Sequence, residues 1–343
     1  LPRIELELMV TGLVNQFLKI AGIAAVAAVL SACATSQASK TEEADPFADI
    51  PVAEIVAAGD RALRQGEFDR ALFVYMQALE VEESADNWYR VGVAKLRLED
   101  TQFAWNAFRN ALALDPDHMQ AHEDLGLLYL SMGQPDQAAN HLQRAVDLDP
   151  KRWRAHNALG VIADVDKQYG KAVGYYKAAL EHYPGSAMLM NNIGYSYYLS
   201  GDLEEATNWL DAAVQAQPGY ELAIRNLALL YARQGWYTEA VETFVKVVEK
   251  PKAYNDVGYI ALRNGDFDDA SLLLTEAIRL SPTYYKVAYE NLEQLEETIK
   301  AKGVRDEREQ LADNMSEVFF AEDRETDSRK VMPQALNVRS APS

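Results

Sequence analysis

Apolar residues recur along this chain at helical spacing, in runs of about a dozen positions that each end in a turn. Between Ala187 and Leu199, Met190, Ile193 and Tyr197 fall on one face. Ser200-Gly201-Asp202 follows, and a glycine there supplies the backbone freedom that a helix end needs. A second run starts near Leu203 and carries Ala206, Leu210, Ala213 and Val214 inward. Pro218 then closes the unit, because proline is tolerated at a helix start but not in its interior. The pattern predicts two helices and a stop. Prolines at Pro116, Pro150, Pro184 and Pro282 repeat the punctuation.

Small residues keep the register. Gly92, Gly126, Gly160, Gly194 and Ala228 follow one another at intervals of 34, with Gly59 before them and Gly258 after. Twelve positions beyond each of the seven stands an alanine: Ala71, Ala104, Ala138, Ala172, Ala206, Ala240 and Ala270. Seven further on come Ala78, Ala111, Ala145, Ala179, Ala213, Val247 and Ala277. Self-similarity at this period is the signature of a repeat array, in which each unit buries its apolar face against its neighbours. Gly194 and Ala206 are predicted to face each other where the two helices cross, small side chains permitting axes near the low end of about 8–10 Å.

The order Leu125-Gly126, Tyr129, Ala138, Leu142, Ala145, Pro150 resembles the tetratricopeptide repeat. The resemblance covers residues 52–283 in seven copies. It implies an all-α, right-handed superhelical solenoid of helix pairs. The first copy has Glu83 where its closing proline would fall. Ala228 to Gly258 is 30 rather than 34, which predicts a last unit whose first helix is about four residues short. Residues 284–302 read as a lone capping helix, with Leu292, Leu295 and Ile299 inward and Glu290, Glu293, Glu296 and Glu297 in solvent.

Upstream of the repeats, Phe17-Leu18-Lys19-Ile20 leads into an apolar run from Ala21 to Leu30. The run is short of the roughly 20 residues that span a bilayer, and it fits the apolar region of an export signal. It ends in Leu30-Ser31-Ala32-Cys33, which resembles the bacterial lipobox. That resemblance implies cleavage of residues 1–32, lipidation of Cys33 and, with Ala34 next, sorting to the outer membrane with the repeats in the periplasm. Cys33 is the only cysteine of the chain, so no disulfide forms within one molecule, and lipidation accounts for a lone thiol in an exported protein. Residues 33–51 then act as lipidated cysteine and polar tether. Either Leu1 or Met9 stands at the true start.

The net charge is −19, and removal of residues 1–32 leaves it there, since Arg3 and Lys19 go together with Glu5 and Glu7. Such a surface excludes nucleic acid and direct binding to anionic lipid headgroups, and it favours protein partners. Residues 303–343 are charged and little periodic, and read as a largely disordered tail that contains Val318-Phe319-Phe320.

Chemistry-bearing motifs are sparse. There is no phosphate-binding glycine loop, no Gly-x-Ser-x-Gly and no zinc-protease signature. Of the histidines His118, His122, His141, His156 and His182, the first two stand four apart, at ligand spacing on one helix face. His122 and His156 share one repeat position with Trp88 and Tyr254, a packing position, so the expectation is no metal, no cofactor and no enzyme. The metal-dependent hydrolase using His118 and His122 is the alternative from the enzyme class.

In tetratricopeptide arrays the first helices line the concave face. The resemblance therefore implies a partner groove built from Asn157, Asn191, Asn192, Arg225, Asn226 and Asn255, in which Asn157 to Asn191 and Asn192 to Asn226 are each 34. Amides offer a donor and an acceptor to an extended backbone. Tyr195, Tyr198 and Tyr259 add contact area, and Arg225, Arg233 and Arg263 can pair with a carboxylate.

Asn191-Asn192-Ile193-Gly194-Tyr195, Arg225-Asn226-Leu227-Ala228-Leu229 and Ala253-Tyr254-Asn255-Asp256-Val257-Gly258-Tyr259 resemble the tetratricopeptide lipoproteins of tight-adherence (Tad, Flp) pilus loci. The resemblance implies a scaffold or pilotin that binds a secretin or another pilus or secretion subunit. A periplasmic adaptor for cell-wall hydrolases or for outer-membrane protein assembly is the alternative within the same class.

Overall fold

The computed structural model describes residues 50–301. Among these residues it is an all-α repeat fold of fifteen helices without a strand. They separate into two compact units, one made of residues 50–168 with 181–183, the other of 169–180 with 184–301.

The first unit holds α1 (Val52–Arg64), α2 (Phe68–Val81), α3 (Ala85–Arg97), α4 (Thr101–Leu114), α5 (Met119–Ser131), α6 (Pro135–Leu148) and α7 (Trp153–Val165). Helix α8 (Tyr169–His182) belongs to the second unit as far as Leu180. There it is followed by α9 (Ala187–Ser200), α10 (Leu203–Ala216), α11 (Glu221–Arg233), α12 (Tyr237–Phe244), α13 (Lys250–Asn264), α14 (Phe267–Leu280) and α15 (Lys286–Ala301). Within the first unit each helix packs on the next, and α5 also meets α7. In the second, the same serial packing runs from α9 to α15, with α9 on α11, α11 on α13 and α13 on α15. In the second unit the first helices of successive pairs thus touch directly and form a layer of their own.

The turns show why the sequence folds this way. At the end of α9, Gly201 takes φ of 88°, and the Asp202 N–H donates to the Tyr197 carbonyl at 3.0 Å, five residues back. This glycine-closed turn satisfies carbonyls that the helix end leaves open. The same five-back bond recurs from Glu67 to Ala62, Asp100 to Lys95, Gln134 to Tyr129, Gln168 to Ala163, Trp236 to Tyr231 and Asp266 to Ala261. At two of these turns the left-handed residue is not glycine: Glu99 has φ 61° and Lys167 has φ 60°. A side chain there costs about 1–2 kcal/mol.

The crossing within a pair leaves no room for a side chain on the packing glycine. A β-carbon on Gly194 would lie 2.8 Å from Leu210 Cγ and 3.1 Å from the Ala206 carbonyl oxygen. At Gly126 it would lie 2.7 Å from Leu142 Cγ. Sequence alone paired Gly194 with Ala206. The structure puts Leu210 over the glycine and brings Ala206 close through its backbone.

The four-residue deficit falls elsewhere than predicted. Helix α13 has 15 residues and is not short; α12, the second helix of the pair before it, has only 8. Val245–Val248 turn out of the helix, and Pro251 sits in the first turn of α13 behind Glu249 in extended geometry. Proline favours a helix start, so it fixes where α13 begins and α12 must stop early. Val245, Val247 and Val248 still pack against the core that contains Tyr237, Phe244, Val257, Leu274, Leu292, Leu295 and Ile299. Helix α15 closes that core, with Ala288, Leu292, Leu295 and Ile299 buried and Glu290, Glu293, Glu296 and Glu297 exposed.

The export signal, the Leu30–Cys33 motif, the tether up to residue 49 and the tail from 302 onward lie outside the described residues. Among the described residues no helix is long and apolar enough to cross a membrane.

Candidate functional site

Ten of the eleven groove residues read from the sequence lie in the second unit, on the first helices α9, α11 and α13. Asn157, on α7, lies in the first. The local framework is firm. Ser186 caps α9 by accepting the Leu189 N–H, and Gly201 ends it.

The amides are buried and bound to one another. Asn191, Asn192, Asn226 and Asn255 are 2–7% exposed. Asn226 Nδ2 donates to Asn191 Oδ1 at 2.8 Å, joining α11 to α9, and Asn191 Nδ2 donates to Asn192 Oδ1 at 3.3 Å. On α13, Asn255 Nδ2 donates to Asp256 Oδ1 at 3.0 Å while Asn255 Oδ1 accepts from Asn291 of α15 at 2.9 Å. A buried amide needs such partners, since an unsatisfied one costs about 1–3 kcal/mol. The column read as a peptide-binding row is therefore also a ladder that sets the register of successive first helices.

The more open part of this face is aromatic and cationic. Tyr195 and Tyr198 stack at 6.2 Å between centroids, and the Arg233 guanidinium lies 6.0 Å from the Tyr198 centroid. Arg233 and Arg263 are exposed, and Tyr198 and Tyr259 are half-buried. Arg225 is held by Glu221 one turn back, at 2.5 Å and 3.0 Å. Together these groups offer flat apolar area with positive charge beside it, suited to a chain segment that carries aromatic and acidic groups.

The first unit places different chemistry at the same repeat positions. Glu123 and Asp124 stand 34 before Asn157 and Ala158, on α5, and are 3% and 8% exposed. Arg152 reaches Glu123 at 3.2 Å; Arg154 reaches Asp124 at 3.1 Å and Glu123 at 3.6 Å. The Tyr89 hydroxyl donates to Asp124 Oδ2 at 2.9 Å. Burial raises the Glu123 carboxyl above its ordinary range against the pull of both arginines. Burial and Asp124 push the Tyr89 hydroxyl upward as well. Sequence reasoning missed this cluster. Its signal was two adjacent acids in the column where later repeats carry amides.

The histidines separate. His118 caps α5: its Nδ1 accepts the Ala121 N–H at 3.2 Å and its Nε2 lies 3.1 Å from Asp86. Both ring nitrogens are thus engaged away from His122, whose Nδ1 instead meets His141 Nδ1 at 3.0 Å. The His118 and His122 pair of the hydrolase reading does not converge on one point. Among the described residues no three histidine, cysteine, aspartate or glutamate side chains gather as a metal site.

The tetratricopeptide repeat profile matches residues 123–187, 167–221 and 225–285. No curated protein sequence matches it. Among solved structures, the C-terminal part of a repeat-containing protein from Cytophaga hutchinsonii is similar, with TM-score 0.55 and 16% identity over 69% of this chain and 99% of that one. A tetratricopeptide repeat protein from Parabacteroides merdae gives TM-score 0.49 and 18% identity over 71% and 98%. YrrB, described as a tetratricopeptide protein with an unusual peptide-binding site, gives TM-score 0.44 and 27% identity over 51% and 90%.

Proposed function

We propose that this chain is a non-enzymatic scaffold whose repeats hold a protein partner, tethered to the outer membrane through a lipid on Cys33. The observation that carries the scaffold reading is the layer of first helices in the second unit, where Tyr198, Arg233, Tyr259 and Arg263 stand partly or fully open on a frame locked by buried amides. A rigid face with aromatic and cationic groups binds a partner segment with little ordering of its own. Repeats of this kind are generally scaffolds rather than enzymes.

The finer reading rests on the sequence. The apolar run closed by Leu30-Ser31-Ala32-Cys33 supports lipidation, and Ala34 supports outer-membrane sorting. The motifs around Asn191, Arg225 and Asn255 support assembly of a Tad (Flp) pilus or related secretion machine, with a secretin or another assembly subunit as partner. Deleting the gene is expected to abolish pili and secretin multimers; normal multimers in the deletion strain would overturn the pilotin role. Pull-down from solubilised membranes separates this partner from a cell-wall hydrolase or an outer-membrane assembly factor. Cys33→Ser is expected to end labelling by radioactive palmitate, and continued labelling would contradict the anchor.

A further inference from the structure

The contact between His122 of α5 and His141 of α6 has a geometry that the repeat does not require. Their Nδ1 atoms lie 3.0 Å apart, with ring centroids at 5.1 Å. His122 Nε2 lies 2.9 Å from the Pro116 carbonyl oxygen, which can only accept, so Nε2 carries the hydrogen and Nδ1 of the neutral ring carries the lone pair. Tyr129 stacks on His141 at 5.5 Å and 17°, fixing the plane of that ring. The bond from a histidine's other nitrogen to a backbone carbonyl is the arrangement that orients metal-ligating imidazoles.

The neighbouring repeat shows what is particular here. His156, 34 positions beyond His122, makes the same contact, with its Nε2 2.9 Å from the Pro150 carbonyl. However, the residue 34 beyond His141 is Tyr175, and the residue 34 before it is Ala107. The proline contact belongs to the repeat; the second imidazole does not.

We propose that His122 and His141 form a two-imidazole chelating site for a borderline divalent transition ion, Cu2+, Ni2+ or Zn2+, that clamps α5 to α6. Two nitrogens at about 2.0–2.1 Å from one ion stand about 2.9 Å apart at a right angle and about 3.3 Å apart in a tetrahedron. The observed 3.0 Å falls between these values. A small rotation of each ring turns the contact line into the two arms of a chelate. His141 moves its hydrogen from Nδ1 to Nε2, so both rings stay neutral and no proton need leave. Water completes the coordination. Repulsion is limited: Arg144, one turn along α6, is paired with Asp117, and the whole chain is strongly negative.

The test is Cu2+ titrated into the untagged chain and followed by electron paramagnetic resonance, with thermal melting in Zn2+ and Ni2+ alongside. The expected spectrum shows coupling to two imidazole nitrogens, and the metals raise the melting temperature, because an ion that binds only the folded form stabilises it. His122→Trp and His141→Tyr use residues that other repeats carry at these positions, Trp88 and Tyr175, and so preserve packing. Each is expected to remove the two-nitrogen spectrum and the melting shift, whereas His182→Ala, at an exposed position, leaves both. A wild-type spectrum without two-nitrogen coupling, or coupling that survives in either variant, would overturn the site.

Discussion

The two units place opposite chemistries at matching positions of one repeat. In the first, Glu123 and Asp124 are buried and answered by Arg152, Arg154 and Tyr89. In the second, Asn191 answers Asn226 and Asn255 answers Asn291, with Asp256 as a further partner of Asn255. Both arrangements tie first helices together, yet one relies on ions removed from water and the other on neutral amides. The repeat therefore tolerates either chemistry in this column, provided that the buried polar groups there are paired.

That difference can be broken most severely in the first unit. Replacing Arg152 and Arg154 together by Met leaves two buried carboxylates without cations, an expected loss of about 3–5 kcal/mol. Hydrogen exchange resolved by residue should show the loss in α5 to α7. Adding Glu123→Leu should restore part of it, since an apolar replacement leaves one fewer buried charge. The neutral ladder is expected to be less costly to break: Asn191→Ala strands the Asn226 amide and loses about 1–3 kcal/mol. The double variant with Asn226→Ala should lose less than the two singles summed, and additivity in denaturant melts would count against the ladder.

A third pair of variants checks what the units share. Ala138 and Ala206 are both fully buried at the crossing within a helix pair, one in each unit. Leucine at either should overpack the crossing by about 1–3 kcal/mol. Unequal melting losses would mean that the scaffolds differ as well as their chemistry. Smaller still, Glu99→Gly and Lys167→Gly should each raise stability by up to about 1 kcal/mol by relieving left-handed strain, read as a rise in melting temperature.

Acid separates the two polar clusters last. Folding raises the Glu123 carboxyl above its ordinary 4.5, so in the window just above that value the folded chain holds a proton that the unfolded chain does not. Acidification through this window stabilises the first unit, and the gain is lost again as pH rises through the folded value. Glu123→Gln should remove that dependence, as followed by exchange at α5. The amide ladder does not titrate and should show none.

Much of the architecture was written in the chain. The 34-residue step, the glycine-closed turns and the inward face of α15 follow from periodicity and from the φ values that glycine and proline permit. What escaped is what depends on a partner distant in sequence. His122 finds His141 nineteen positions away on the facing helix, not His118 one turn back. The amides of the second unit bond to each other across neighbouring helices, which spacing alone shows only as a shared column. The acidic cluster lay hidden because Arg152 and Arg154 come from the next repeat. The deficit of four was visible as a number, but its place depended on where Pro251 starts α13.

That deficit has a consequence for how such chains lengthen and shrink. Helix α12 is six residues shorter than α10 (8 against 14), yet the non-helical stretch 245–249 lets Pro251 start α13 afresh, so the later inward positions keep their burial. Val247 still fills its place in the core, and α13 resumes with Ala253, Val257 and Ile260 buried. Edits that fall in such a link pass through this fold without re-registering the helix downstream.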